Sequence, residues 1–276
     1  MKQMTCLVVL VLTLCSTYAQ QKSVSPYEWN WTRDGIWTGA ALAGTAGGFL
    51  IIQNKDPFTE ADLEKFRDNI DDINGIDRWV AGKYSENASK MSDIPFAISF
   101  AAPFALLFDK NANDHAGQLF GIYIESLATT STLFTITAGL TNRARPYAYG
   151  TKASLDRRLG TSATRSFYSG HVAATSTASF FAAKVFQDFN PDSKAVPYVW
   201  TGAALLPAAV GYYRMEAGQH FLTDVILGYT MGALAGYFIP ELHKKRSSDT
   251  QVGFSTTTGF TPIGERYDGL RLSYTF

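Results

Sequence analysis

The fold class predicted by this 276-residue chain is all-α: a bundle of six core helices followed by a short C-terminal β-hairpin. Three observations carry that expectation. Six apolar stretches, each long enough for a helix, recur between about residue 35 and residue 240 and are separated by polar segments. Charged residues make up only 17% of the chain against 46% hydrophobic, enough to bury a large core as one domain. Beyond Pro240 the hydrophobic period changes from 3.6 to 2.

In chain order, residues 1–19 come first. "MKQMTCLVVLVLTLCSTYAQQ" has a single Lys2, an apolar run from Cys6 to Cys15, and Thr17-Tyr18-Ala19 before Gln20. It has the form of a cleavable secretory signal, too short for the roughly 20 residues of a permanent spanning helix. Leu14 before Cys15 does not suit a lipoprotein signal. The mature chain is therefore expected in the cell envelope, outside the cytoplasm. Both cysteines lie in this segment, which excludes disulfides, thiolate metal sites and a cysteine nucleophile from the remainder.

Residues 20–93 form the second region. Gly35 to Gln53 carries no charge and is rich in Ala and Gly, which predicts a packed or membrane-associated helix. The polar stretch 55–93 opens with Thr59 as an N-cap ahead of acidic residues, and predicts short surface helices. The core follows over 94–243, with apolar stretches at 94–108, 116–140, 172–186, 196–212 and 221–240. Glu125, Lys184 and Asp224 interrupt them, and the mean hydropathy of −0.04 is low for six spans. A spanning bundle and a soluble or peripheral one both remain open. Residues 244–276 hold a solvated linker and the hairpin, in which Val252, Phe254, Thr256 and Thr258 alternate, as do Leu270, Leu272, Tyr274 and Phe276.

Lys plus Arg and Asp plus Glu both number 24, so no net basic field exists to attract nucleic acid. The polar residues that stand out are instead gathered in three places. "TNRARPYAYG" sets Arg143 and Arg145 in an extended segment before Pro146, where two guanidinium forks can point the same way toward a phosphate. "SFYSGHVAATS" opens a helix with Ser169, Gly170 and His171: a hydroxyl, a close backbone approach and free amides, with an imidazole to donate a proton. In "YRMEAGQHFLTD", His220 and Asp224 are four apart. A helix starting near His220 would project both from one face, with the carboxylate holding one ring nitrogen, and Arg214 within reach.

The order Arg145-Pro146, Ser169-Gly170-His171 and Arg214-x5-His220-x3-Asp224 resembles the three signature motifs of the type-2 phosphatidic acid phosphatase and vanadium haloperoxidase superfamily, over roughly residues 94–240. The resemblance implies a helical bundle and a phosphatase without metal or other cofactor that works through a phosphohistidine. It makes His220 the nucleophile, Asp224 its orienting partner and His171 the acid for the leaving oxygen. Arg145, Arg214, Ser169 and the Gly170 amide would hold the phosphoryl oxygens.

Three positions depart from the family pattern: its lysine falls at Ala138, its second-motif proline at Tyr168 and its third-motif serine at Tyr213. The missing cation is expected from Arg143, or from Lys152 or Arg165 in the same long loop. The expected substrate is a lipid phosphate or diphosphate in the envelope: phosphatidate, a polyprenyl diphosphate or lipid A. The alternatives are a secreted acid phosphatase for soluble esters, a vanadate-dependent haloperoxidase and a non-catalytic envelope scaffold. Outside the motifs, His115 suits a surface loop, His243 a helix C-terminus, and Glu125 a buried functional or paired structural carboxylate.

Overall fold

The computed structural model describes residues 23–245, 251–261 and 264–275; the expected signal segment and Phe276 lie outside them. In chain order the helices are α1 (Trp31–Gln53), α2 (Glu60–Asp68), α3 (Glu86–Ala101), α4 (Lys110–Asn113), α5 (Ala116–Leu140), α6 (Leu155–Leu159), α7 (Gly170–Phe189), α8 (Val196–Glu216) and α9 (Leu222–Leu242). The six long ones are the six expected core helices. Side-chain caps open α1, α2 and α3. Asn30 accepts from the amides of Thr32 and Arg33 to open α1, and Thr59 and Asp62 form a reciprocal capping box at α2. Ser85 caps the Ala88 amide, so α3 begins well before the apolar stretch at residue 94 and continues past Ala101 as the 3-10 segment Ala102–Phe108.

Small residues bring the helices of the site together. On α9, a Cβ added at Gly228, Gly232 or Gly236 would lie 2.5, 2.1 or 2.5 Å from the carbonyl oxygens of Ser169, Ala173 and Thr177. That glycine row lets α9 press against the backbone of α7, as small-residue stripes do between membrane helices. Gly44 and Gly48 of α1 meet Thr132 and Thr135 of α5 in the same manner. Beneath the site, Val172, Val210, Met215, Phe221 and Val225 form one apolar cluster with Val80.

Lys184 and Asp224, two of the charges that interrupt the apolar stretches, have bonded partners. Lys184 is buried and bonds Asp188 and Glu241, each at 2.6 Å, and Tyr27 donates to Asp188. Asp224 pairs with Arg143, and Glu125 lies beside His243. Pairing of this kind is what makes burial of an ionised side chain tolerable.

Among the described residues, four helical segments have the length and apolar character to cross a membrane: Trp31–Gln53, Glu86–Phe108, Ala116–Leu140 and Leu222–Leu242. Their outward faces are apolar, with Ile36, Leu50, Ile98, Leu140 and Leu242 all exposed. Large contiguous apolar surface on long helices is the signature of a membrane-associated chain.

The chain divides into two compact units, one running up to His243 and a second from Lys244. The second is the expected hairpin, β1 (Gln251–Phe260) paired antiparallel with β2 (Arg266–Thr275) in a register that sets Val252 opposite Tyr274 and Phe254 opposite Leu272. Gly264, at φ +85°, sits in the turn, closed by the Thr261 amide on the Glu265 carbonyl. β2 begins before the alternation that starts at Leu270 and takes in Tyr267, Asp268 and Gly269.

Candidate active site

The three motifs meet at one end of the bundle, where α5, α8 and the loops after them converge on the starts of α7 and α9. Main-chain bonds stitch them together. The Ser166 amide donates to the Arg143 carbonyl, the Ser169 amide to the Asp224 carbonyl, and the Tyr147 amide to the Gly218 carbonyl, at 3.0, 3.1 and 3.0 Å. Gly218 has φ +67°, and a Cβ there would lie 1.9 Å from the Lys83 carbonyl. Only glycine allows the turn between α8 and His220 to be this tight.

His220 is 2% exposed and lies before α9, with Phe221 as the helix N-cap. This corrects the expectation that His220 and Asp224 share a helix face and bond directly. The ring Nδ1 instead donates to the Ser166 carbonyl at 2.6 Å. A carbonyl can only accept, so the proton is fixed on Nδ1 and the Nε2 lone pair is left free. Asp224 sits one link further back. Its carboxylate accepts from the Ser166 hydroxyl at 2.6 Å, from the Phe221 amide at 2.9 Å and from Arg143.

Arg143 does not supply the missing cation to the anion site. Its guanidinium bonds Asp224, the Thr223 hydroxyl and, at 2.7 Å, Asp77, and stacks over Phe221. Two carboxylates already neutralise it. Asp77, placed by sequence in a polar surface segment, is fully buried and also accepts from the Thr223 amide and hydroxyl. Residues 146 apart therefore lock the start of α9. Ala138 is buried and leaves no charge at the family lysine position; the Lys55 ammonium reaches its carbonyl, along with those of Thr141 and Thr164, from the end of α1.

Arg145 and Arg214 are a different case, because neither pairs with a carboxylate. Arg145 donates to the Gln219 side chain and the Arg165 carbonyl, and Arg214 reaches only the Ser92 hydroxyl, at 3.4 Å, with its Nε unpartnered. Burial, together with neighbouring guanidinium groups, pulls Arg145 down to about 10 and Arg214 to about 9. Ser169 caps α7 by position, yet its buried hydroxyl makes no hydrogen bond and is not used as a cap. The α7 amides behind it point outward with no helical acceptor of their own.

His171 completes the set. Its ring packs on Phe96 with centroids 4.3 Å apart, and Nε2 is 3.7 Å from Asp93. Burial first, then Arg214 and Arg145, push it down to about 3; burial with the same two arginines holds His220 well below its ordinary value. The arrangement thus gathers two arginines without a bonded carboxylate, one hydroxyl without a hydrogen bond and two imidazoles held neutral. Its chemistry is that of an oxyanion site with a nucleophilic nitrogen.

Of the sequence-predicted residues, Arg145, Ser169, Gly170, His171, Arg214 and His220 come together here, Asp224 stands behind Ser166, and Arg143 belongs to the Asp77 and Asp224 pair. Ser166, Gln219, Asp77 and Asp93 went unread in the sequence. Ser166, three residues before Ser169 in the same polar cluster, is the one with a local signal.

No curated protein matches the chain. A crystal structure of a transmembrane PAP2 type phosphatidylglycerolphosphate phosphatase from Bacillus subtilis aligns at 17% identity and a TM-score of 0.38, covering 77% of this chain and 92% of that one. The profile of the PAP2 superfamily matches residues 119–248, which contain all three motifs. Over that segment the chain is similar to the PAP2 superfamily.

Proposed function

We propose that the protein is a phosphatase that transfers the phosphoryl group of a lipid phosphate or diphosphate to His220 and then to water, at the membrane of the cell envelope. One observation carries the reading: Arg145 and Arg214, neither bonded to a carboxylate, act electrostatically on each other's surroundings and on His171, which with the unpartnered Ser169 hydroxyl stands at the start of α7. Buried cations in such a setting are costly unless an anion neutralises them. A tetrahedral phosphoryl group offers enough oxygens for all of these donors.

In the first step Nε2 of His220 attacks phosphorus, and the bond from phosphorus to the leaving oxygen breaks. His171 gives that oxygen a proton. A bound dianion cancels the field of Arg145 and Arg214 and supplies a negative neighbour, so His171 takes up a proton on substrate binding. In the second step His171 removes a proton from water, which displaces His220 and releases phosphate. The Ser166 carbonyl stabilises the imidazolium that forms at Nδ1. The span-length helices beside the site favour a lipid substrate over a soluble ester.

The test is phosphate release by purified protein in detergent, without added metal ion. Substrates are phosphatidate, a polyprenyl diphosphate, lipid A and a soluble aryl phosphate, with His220→Ala alongside. The reading predicts release from a lipid, abolished in the variant. Equal release from wild type and His220→Ala would overturn it, and a preference for the aryl phosphate would overturn the substrate class.

A further inference from the structure

A second polar cluster lies at the far end of the bundle. α9 is 21 residues long, so roughly 30 Å of helix separates the site around His220 from His243 at the other end. There His243, Asp34 at the start of α1 and Glu125 in the first half of α5 converge, all buried, at 2%, 1% and 5% exposure. Nε2 of His243 lies 3.3 Å from Asp34 Oδ2 and 3.5 Å from Glu125 Oε2, and the three ligand atoms fall within 4.8 Å of one another.

From this geometry we infer that Asp34, Glu125 and His243 bind one zinc ion, which ties α1, α5 and the end of α9 together. Three independent features support the assignment. Tetrahedral bonds of about 2.0–2.1 Å place neighbouring donor atoms about 3.3–3.4 Å apart, close to the 3.3 and 3.5 Å from His243 Nε2 to the two carboxylate oxygens. The Nδ1 of His243 donates to the Ile239 carbonyl at 2.8 Å, the outer bond that metal-ligating histidines make and that turns the Nε2 lone pair toward the ion. Both His243 Nε2 and Glu125 Oε2 are buried without a hydrogen-bond partner and aim into the cluster.

The remaining contacts leave the ligand atoms accessible to a cation. Arg33 Nε takes Asp34 Oδ1 at 2.5 Å, Oδ2 accepts from the Asn30 amide at 2.7 Å and from Arg33 Nη2 at a longer 3.3 Å, and Trp29 stacks on the His243 ring at 5.8 Å. A nitrogen and two carboxylate oxygens suit zinc, whereas magnesium or calcium would need a larger oxygen shell. The ion is structural, since nothing of the phosphoryl site reaches it. A proton shared among the three groups is the rival occupant.

The experiment is metal analysis by mass spectrometry of the full chain, purified in detergent without chelator and equilibrated with zinc, together with thermal unfolding with and without zinc. Wild type and His220→Ala are expected to hold one zinc per chain. Glu125→Gln, which keeps the shape of the side chain, and His243→Ala should lose it. Zinc should raise the unfolding midpoint of wild type and leave that of Glu125→Gln unmoved. Cobalt loading gives a second readout: visible bands in wild type that excess zinc removes. Folded wild type without stoichiometric zinc, or zinc retained in both variants, would overturn the assignment and leave the proton as occupant.

Discussion

The carbonyl oxygen of Ser166 lies 2.6 Å from Nδ1 of His220, while the hydroxyl of the same serine donates to Asp224 at 2.6 Å. Serine thus stands between the histidine and the aspartate that motif spacing suggests as direct partners. The main chain sets the tautomer, and the side chain sets the position of that main chain. Ser166→Ala should therefore keep the carbonyl but loosen it. Expected are a loss of about 1–3 kcal/mol in stability, from a buried carboxylate short of one donor, and a lower kcat with KM little changed. Denaturant unfolding and steady-state kinetics check this; a raised KM at constant kcat would place Ser166 in substrate binding instead.

Arg143 and Arg145, two residues apart, should respond in opposite ways to substitution. Arg143→Ala leaves Asp77 and Asp224 buried without their cation, at an expected cost of about 3–5 kcal/mol. Arg145→Ala removes a cation that has no carboxylate partner, so stability should hold or rise while kcat/KM falls by about 10²–10³-fold. Thermal unfolding of the two variants beside their turnover separates the roles. Equal destabilisation by both would contradict them.

The contrast also shows what the sequence can and cannot convey. The motif histidines and Arg145 are legible because their chemistry depends on short spacings within one loop or helix start. The six helices are legible for a similar reason, since each is a local run of apolar residues, opened by a capping Asn30 in α1 and Ser85 in α3. Arg143 was misread because alternation in an extended segment fixes a side of the backbone, not the partner found there. That partner, Asp77, comes from a segment 66 residues earlier, and nothing local marks it. The offset of Asp224 from His220 was hidden because α9 starts at Leu222, so the i, i+4 face does not include the histidine.

Both site histidines are held below the ordinary value of about 6.5, His171 to about 3. The unfolded chain therefore binds protons that the folded chain refuses, and stability present above pH 6.5 should decline as pH falls below it. For the free enzyme, kcat/KM should stay high below pH 6, because His220 remains neutral there. An acid limb centred at 6.5 would contradict that.

Binding of inorganic phosphate or vanadate should reverse the depression at His171, because a bound oxyanion offsets the arginine field. Near pH 7 the complex is then expected to take up close to one proton, read as a dependence of the calorimetric enthalpy on buffer ionisation heat. His171→Ala should bind the anion without that uptake. Uptake undiminished in His171→Ala would assign the proton elsewhere.

The central claim is a bond between phosphorus and Nε2 of His220, and rapid quenching during turnover of a ³²P-labelled lipid phosphate tests it most directly. The account predicts a protein-bound label that is stable in alkali, lost in acid, mapped to His220 and retained when Asp224 is left intact but Ser166 is replaced by alanine, at a reduced level. Label that is absent from wild type during rapid turnover, or that persists in His220→Ala, would contradict it.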